Sequence, residues 1–370
     1  MEKSDHDLEA VAMSGGVDSS VAALLRVRSG ARIVGLTMKL WDAECDGQSA
    51  DRACCTADHA ADARRVCQKL GAPHYTLDLR EDFRREVVDV FVSEYLAGRT
   101  PNPCVRCNTF LKWDSLWERA RELGCSTLVT GHYARILDTP DGPGLFRASD
   151  PNKDQSYFLW GIPRHLLSRT RFPLAELPKS DTRELAQAAQ LPTAAKKESQ
   201  DICFVPGGDY RELVRASQPN APLLRPGPIV GPQGRVLGQH EGLAGYTIGQ
   251  RRGIGAAWTE PLYVTEIDIS ANTLRLGPRA DLLVDSLVVG DVNQLAPLPA
   301  DGSLWIQVRY RSTPTLGHVT LSGNKLEISM AEQILSPAAG QSIVIYDGPR
   351  LIAGGVLQSA SRKAIVQEQP

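Results

Sequence analysis

The sequence predicts an α/β protein: a doubly wound, parallel-sheet N-terminal domain, then a small β-rich domain, then a C-terminal β-barrel. Three observations predict it. Residues 8–40 read strand, glycine loop, helix, strand, the βαβ unit from which parallel sheets are built. Helices stopped by glycine keep alternating with strands as far as residue 130. From about residue 286 the helical period disappears, and short strands follow one another across turn dipeptides, the pattern of a small barrel.

Taken in order, Leu8–Met13 is an apolar strand, Ser14-Gly15-Gly16 a loop, Val17–Arg28 a helix with Gly30 as its stop signal, and Ile33–Met38 the next strand. Residues 57–70 form a helix ended by Gly71, and His74–Leu79 a strand. Helices follow over Asp82–Leu96 and Cys107–Leu123, the second stopped by Gly124. Trp113, Leu116, Trp117 and Ala120 give that second helix an apolar stripe. Thr127–Thr130 is a strand leading into Gly131-His-Tyr-Ala-Arg135. Residues 151–205 read as helical, with Asp181 and Glu184 at capping-box spacing ahead of a short helix. Pro206–Gly255 is rich in Gly and Pro. Strands are expected at Trp305–Ser312, His318–Ser322, Lys325–Ala331, Ser342–Tyr346 and Leu351–Gln358, with Gly323-Asn324 and Asp347-Gly348 as hairpin turns. The resulting domains are 1–205, 206–285 and 286–365.

A hydrophobic share of 42% with 23% charged residues is that of a soluble globular protein, and 370 residues exceed one ordinary domain. No apolar run approaches the ~18 residues of a spanning helix. The acidic stretch MEKSDHDLEAVAM lacks the apolar core of a targeting segment, so a cytoplasmic protein without a membrane partner is expected. Net charge is −2, and residues 286–370 carry six Lys/Arg against six Asp/Glu, so nucleic-acid binding must use local patches. Eight cysteines are too sparse for a disulfide scaffold. In a reducing compartment the sole C-x-x-C, Cys104 to Cys107, reads as metal or catalytic chemistry.

The strongest motif is Ser14-Gly-Gly-Val-Asp-Ser-Ser20, which follows a strand and opens a helix. Its glycines let backbone approach a phosphate, and the helix N-terminus supplies N–H groups and positive potential. Ser19 and Ser20 add hydroxyls, and Asp18 fits beside phosphate when it helps to hold Mg²⁺. Neither G-x-x-x-x-G-K-[ST] nor G-x-G-x-x-G is present. The string resembles the PP-loop family of ATP pyrophosphatases, with their adenine nucleotide alpha hydrolase-like fold. That resemblance implies an ATP cleaved between its α and β phosphates, with AMP passed to a carbonyl-type oxygen.

Further strings narrow the resemblance: Leu36-Thr-Met-Lys-Leu-Trp41, Thr100-Pro-Asn-Pro, Cys107-Asn108, Gly131-His-Tyr-Ala-Arg135, Lys153-Asp-Gln-Ser-Tyr-Phe-Leu159, Ser199–Phe204 with Ile202-Cys203, and Tyr246-Thr-Ile-Gly-Gln-Arg-Arg-Gly253. In this order, from about residue 8 to about residue 360, the chain resembles the tRNA-specific 2-thiouridylase (MnmA/TrmU) family. The resemblance implies the wobble uridine of the tRNAs for Lys, Glu and Gln as substrate. ATP adenylates the C2 oxygen, a cysteine persulfide delivers sulfur, and AMP departs. A carbonyl is a poor electrophile until its oxygen is esterified, an ionised persulfide is a strong nucleophile, and the base must leave its stack to react. A sulfur-relay protein or a cysteine desulfurase would supply the sulfur, and a monomer is the simplest assembly.

By the same resemblance, Ala12, Met13, Ser14, Gly15, Gly16, Val17, Asp18, Ser19, Met38 and Gly131 surround ATP. Asn102, Pro103, Cys104, His132, Lys153, Asp154, Gln155, Arg309, Tyr310 and Gln341 contact tRNA, and Arg251-Arg252 add phosphate contacts. On residue type alone Met38 is a core methionine, His132 a loop histidine, Lys153–Gln155 a polar turn, and Arg309, Tyr310 and Gln341 faces of barrel strands. Cys203 carries the persulfide, and Cys107 is the nucleophile that releases sulfur through a transient disulfide; alone, Cys203 reads as a small buried hydrophobe. Placed at a helix start, Cys107 would be favoured as thiolate.

Many members have N-P-D-x-x-C; this chain has N-P-C-V-R-C, with Cys104 in place of the carboxylate that serves as acid or base. Three chemistries remain for the cysteines. Cys104 assists a persulfide route; or Cys104, Cys107 and Cys203 hold a [4Fe–4S] cluster with one iron open to sulfide; or a structural zinc draws on Cys54, Cys55 and His59. Competing functions are another PP-loop ATP pyrophosphatase that modifies tRNA, and a non-enzymatic Fe–S RNA-binding protein.

Overall fold

The computed structural model describes residues 7–41, 57–197, 202–205, 208–255 and 258–362. Two stretches of small and branched apolar residues begin the fold. Leu8–Ala12 forms β1, with Ala10 and Val11 fully buried, and Val17–Arg28 forms α1, with Val21, Ala22 and Ala23 equally buried. Gly30 stops α1 in the left-handed region, at φ 82°, where a side chain is disfavoured. Then come Arg32–Lys39 (β2), Ala57–Lys69 (α2) and His74–Asp78 (β3). One helical run joins Arg80–Phe83 (α3), a π-helical stretch Arg84–Val88, and Asp89–Leu96 (α4). A second joins Pro103–Arg106 (α5), a π-helical stretch Cys107–Ser115, and Leu116–Glu122 (α6), ahead of Cys125–Val129 (β4). A hairpin, Ala134–Thr139 (β5) with Gly142–Arg147 (β6), precedes the two-residue Thr170–Arg171 (β7) and Lys179–Ala188 (α7).

Chain contacts divide the molecule into two units: residues 1–88, 103–208 and 349–351, and residues 89–102, 209–348 and 352–370. The first is built on a parallel sheet in the order β3-β2-β1-β4-β7. Parallel neighbours need crossovers, which α1 and α2 supply. Glu9 on β1 is tied to Arg26 on α1 by two 2.7 Å hydrogen bonds, so the first crossover is fixed by charge as well as by packing. Trp113, Leu116, Trp117 and Ala120 are all buried, as their stripe predicts.

The second unit opens with α4 and Tyr210–Ser217 (α8), joined by the stacked rings of Tyr95 and Tyr210 at 4.1 Å. It continues through Gly227–Val230 (β8), Val236–His240 (β9), Tyr263–Asp268 (β10) and Thr273–Gly277 (β11), a sheet in the order β10-β11-β8-β9. Leu283–Gln294 (β12), Ser303–Gln307 (β13), Thr315–Ser322 (β14), Lys325–Leu335 (β15), Ser342–Asp347 (β16) and Arg350–Ser361 (β17) then close a six-stranded barrel. Closure comes from antiparallel pairing of β17 back onto β12, which leaves no open edge in the ring.

Four expectations are corrected. Residues 151–205 are not helical throughout: Pro163, Pro173, Pro178 and Pro192 break the stretch into 3₁₀ turns, β7 and the single helix α7. Asp181 is not a cap; α7 starts two residues earlier, with Thr182 N–H donating to the Pro178 carbonyl at 3.2 Å. The helix expected from Cys107 begins at Pro103, whose ring pre-sets the first helical φ. The strand expected over Trp305–Ser312 ends at Gln307, because its side-chain amide donates to the Arg309 and Tyr310 carbonyls and curls the chain.

Removing one side of the Glu9–Arg26 pair tests how the crossover is held. Glu9→Ala leaves a half-buried guanidinium without its partner and is expected to cost about 1 kcal/mol. Urea unfolding of the variant measures it.

Candidate active site

In an open parallel sheet, ligands bind beyond the carboxyl ends of the strands, where the strand order reverses. Here that point is β1, flanked by β2 and β4. The loop after β1 is Ser14–Gly16, and the loop after β4 is Thr130–Tyr133. Gly15 sits at φ 69°, and a Cβ there would lie 2.3 Å from the His59 carbonyl oxygen. A Cβ at Gly131 would lie 2.7 Å from both the Asp18 carbonyl carbon and the Ser19 nitrogen. Only glycine lets the second loop rest on the first.

The nucleotide loop is held from within. Ser14 N–H donates to Ser19 Oγ at 3.2 Å, and the Ser19 and Ser20 hydroxyls donate to the Gly16 carbonyl at 3.2 and 2.7 Å. Thr193 donates to Ser20 Oγ at 2.9 Å in a fully buried contact. Two lysines supply the charge that the motif lacks. Lys179 donates to Asp18 Oδ1 at 2.6 Å, and Lys196 donates to the Gly15 carbonyl at 3.1 Å and to Asp62 at 2.6 Å. Tyr133 OH also donates to Asp18 Oδ1, at 3.0 Å. Neither lysine belongs to a recognisable motif; only the tertiary fold brings them to the loop. Met38 is half-buried at the carboxyl end of β2, two residues beyond the Leu36–Ala12 pair. His59, buried beside Gly15, has an Nδ1 with no hydrogen-bond partner. Its suggested zinc partners Cys54 and Cys55 lie outside the described residues.

The C-x-x-C lies on the run from Pro103 to Glu122. Because this run starts at Pro103, Cys104 occupies the first turn and is exposed, while Cys107 lies one turn in and is half-exposed. The helix-start argument therefore applies to Cys104, not Cys107. Cys203 is half-exposed in the turn Ile202–Val205, closed by Val205 N–H donating to the Ile202 carbonyl at 3.0 Å. Ser199–Asp201, the start of its motif, fall outside the described residues.

One helical segment ties these pieces together. Phe204 packs edge-to-face on Phe83 at 5.5 Å, and Arg106 donates to the Glu86 carbonyl at 2.7 Å. Phe83 and Glu86 are three residues apart in one continuous helical run. The neighbours of Cys203 and of Cys107 are thus anchored to the same helical run. The remaining described cysteines, Cys67 and Cys125, are buried, and burial pushes both thiols up to about 11. Among the described residues no three His, Cys, Asp or Glu side chains converge on a common metal position, so the alternative of a cluster on Cys104, Cys107 and Cys203 has no assembled cradle there.

His132 follows Gly131 and stacks on Trp113 at 5.9 Å. Its Nε2 is 3.3 Å from Lys112 Nζ and its Nδ1 is 2.8 Å from Thr130 Oγ1. Burial, then the Lys112 charge, pushes its pKa well below the usual imidazole value, so the ring is neutral.

The residues matched to tRNA contacts divide. Asp154 is buried, and its carboxylate accepts from Arg147, the Ala148 and Ser156 N–H groups and the Ser156 hydroxyl, at 2.8 to 3.1 Å. It holds its loop together rather than facing solvent. Gln155 accepts from Tyr133 N–H at 3.0 Å and so braces the loop of His132. Lys153 is half-exposed. In the second unit, Arg309 and Gln341 line one cavity of about 420 Å³ with Thr247, Gly249, Gln250 and Arg279. Arg309 and Tyr310 lie in the bend after β13, not on a strand face. Arg251 and Arg252 are exposed, Asn102 is half-exposed, and Pro103 is buried. Arg279 carries no motif signal and emerges only from the fold.

Comparison with known proteins gives three matching family models: a tRNA methyl transferase HUP domain over residues 9–207, a tRNA methyl transferase PRC-barrel domain over 222–278, and an aminomethyltransferase beta-barrel domain over 284–357. The tRNA-specific 2-thiouridylase MnmA of Magnetococcus marinus is 45% identical over 94% of this chain and 97% of its own. That of Xanthobacter autotrophicus is 44% identical over 96% of this chain and 93% of its own. The Rickettsia bellii protein of the same name is 44% identical over 93% and 94%.

Exposure and thiol acidity sort the cysteines, and alkylation tests the sorting. At pH 8 a thiol with a pKa near 11 is ionised in about one molecule in a thousand. Peptide mapping after brief iodoacetamide treatment is expected to find Cys104, Cys107 and Cys203 modified, with Cys67 and Cys125 untouched until the protein unfolds.

Proposed function

The chain belongs to the tRNA-specific 2-thiouridylase (MnmA/TrmU) family, and on that premise we propose how its own residues carry out ATP-dependent 2-thiolation of the wobble uridine in tRNAs for Lys, Glu and Gln. Ser14–Ser19, Met38 and Gly131 bind ATP, with Lys179 and Lys196 adding charge beside the loop. Asp18 gives one oxygen to Lys179, and its carboxylate would help to hold the Mg²⁺ that accompanies ATP. The base, flipped from its stack, loses its N3 proton. Its O2 attacks the α-phosphate, an O–P bond forms, and pyrophosphate leaves with the bonding pair.

Sulfur transfer follows. A sulfur-relay protein or cysteine desulfurase loads Cys203 with one sulfane sulfur. The terminal sulfur of the persulfide anion attacks C2; a C–S bond forms, the C2–O bond breaks, and AMP leaves with the pair. The Cys107 thiolate then attacks Cys203 Sγ. A Cys107–Cys203 disulfide forms, the persulfide S–S bond breaks, and the pair passes to the new 2-thio group, with a proton returning to N3. A cellular thiol reductant supplies two electrons to reset the disulfide. The observation that carries this reading is the shared helical run: Phe83 anchors the Cys203 turn and the Glu86 carbonyl anchors the Cys107 helix.

A [4Fe–4S] cluster on Cys104, Cys107 and Cys203 is the competing sulfur carrier. The N-P-C-V-R-C string favours it; the lack of converging ligands among the described residues disfavours it, and no step above depends on iron. Residues 286–365 and Arg251-Arg252 fit a tRNA-holding role, with Arg309 and Gln341 in one cavity. Among the described residues no helix is long and apolar enough to cross a membrane.

The experiment separates the two half-reactions. In Cys203→Ala, tRNA-dependent pyrophosphate release is expected to stay within about 3-fold of the parent, while 2-thiouridine falls at least about 100-fold. Nucleoside mass spectrometry and a pyrophosphate assay read both. Undiminished thiolation would refute the role of Cys203, and no tRNA-dependent pyrophosphate from the parent protein would refute the activity.

A further inference from the structure

The nucleotide loop and the cysteine helix meet through one chain of contacts, and at its centre is a residue that no motif identifies. Lys112 follows Asn108 by four residues and Cys107 by five. The segment Cys107–Ser115 is π-helical, with i→i+5 bonding, so residues five apart are neighbours on successive turns. Cys107 and Lys112 therefore face the same side, and π-helical segments of this kind are frequent at functional sites.

The partners of Lys112 are fixed by their own second contacts. Asn108 donates its amide N–H to the Phe158 carbonyl at 2.9 Å, so its carbonyl end, Oδ1, is the one left for Lys112 at 2.8 Å. The ammonium has no lone pair, so His132 Nε2, at 3.3 Å, is the acceptor. The imidazole proton is then on Nδ1 and is donated to Thr130 Oγ1 at 2.8 Å. Gly131, between Thr130 and His132, presses its backbone on Asp18 and Ser19. The ammonium thus sits one residue removed from the nucleotide loop and on the face of the helix that carries Cys107.

Both partners of Lys112 are neutral. Lys179 and Lys196, near the same end of the sheet, each have a carboxylate at 2.6 Å. Lys112 is half-buried, and among the described residues it is paired with no Asp or Glu. A partly desolvated cation without a counter-charge is costly. Two of its three N–H donors are used within the protein, which leaves one for a group that arrives.

We propose that Lys112 is a catalytic residue of the sulfur-transfer step, its ammonium stabilising the AMP leaving group as the C2–O bond breaks. In that step the electron pair of the C2–O bond passes to the phosphate oxygen, so negative charge grows at the junction of nucleotide and cysteine helix. A fixed donor aimed at developing charge is worth most in a site closed to water. Burial, then the Lys112 charge, keeps His132 neutral, and the contact with Lys112 fixes its tautomer, so the histidine orients the ammonium and does not exchange protons. This inference rests on the thiolation reading.

Three variants test it. Lys112→Met removes the charge, Lys112→Gln keeps hydrogen bonding to Asn108 and His132 without charge, and Lys112→Arg keeps charge. Single-turnover assays follow pyrophosphate, AMP and 2-thiouridine separately, with thermal melts to confirm folding. In the Met and Gln variants pyrophosphate release is expected within about 3-fold of the parent, AMP release and thiolation about 100-fold slower, and adenylated tRNA accumulating. Lys112→Arg restores most of the loss. Thiolation at the parent rate in Lys112→Gln overturns the proposal. So does a loss that falls equally on pyrophosphate release and thiolation in folded variants, which marks a structural or binding role. A parent protein that gives no tRNA-dependent pyrophosphate would instead sink the thiolation reading itself.

Discussion

The close approach of Gly131 to the start of α1 is the constraint on which the site depends. With 2.7 Å between a hypothetical Cβ and the Ser19 nitrogen, no side chain fits. The loop after β4 must therefore lie against the loop after β1. Everything carried by the loop after β4 inherits its position from that contact: Thr130, His132 and, through His132, Lys112 with the helix of Cys104 and Cys107. The parallel order β2-β1-β4 makes the contact available, because it sets the carboxyl ends of β1 and β4 side by side. A phosphate site and a thiol site are thereby joined by backbone geometry rather than by flexible side chains.

Charge is distributed along that junction with a clear division. Lys179 and Lys196 are each paired with a carboxylate, Asp18 and Asp62, and bring their charge to the nucleotide loop. Lys112 has neutral partners and keeps its charge for chemistry. The cysteines divide in the same way. Burial raises Cys67 and Cys125 out of the reactive range, whereas Cys104, Cys107 and Cys203 retain exposure.

Much of this was legible in the sequence where local rules dominate. The string at Ser14–Ser20 falls between a strand and a helix, and α1 has the bounds its glycine stop predicts. The barrel was legible from alternation and its Gly323-Asn324 turn, with Gly323 at φ 62°. Local rules failed where the structure is made by distant partners. β7 is two residues long and exists only because β4 offers an edge. The hairpin of β5 and β6 was missed because its strands pair with each other and with Arg350–Leu351, far along the chain. Lys112, Lys179, Lys196 and Arg279 were missed because single basic residues carry no pattern. Asp154, matched to tRNA as one of the triplet Lys153–Gln155, accepts four hydrogen bonds that brace its own loop, a role no motif announces. Proline explains the other miss: the ring at Pro103 starts its helix four residues before Cys107.

The central claim is that sulfur reaches the base from Cys203 and that Cys107 resolves the adduct without iron. The most direct measurement is a single turnover with iron-free protein loaded with one sulfane sulfur and separated from its donor. After addition of ATP, Mg²⁺ and unmodified tRNA, nucleoside and peptide mass spectrometry count the products. The account predicts one 2-thiouridine per loaded sulfur, together with a Cys107–Cys203 disulfide. Thiolation that appears only after iron and sulfide are restored, with Cys107 and Cys203 remaining unlinked, would contradict it.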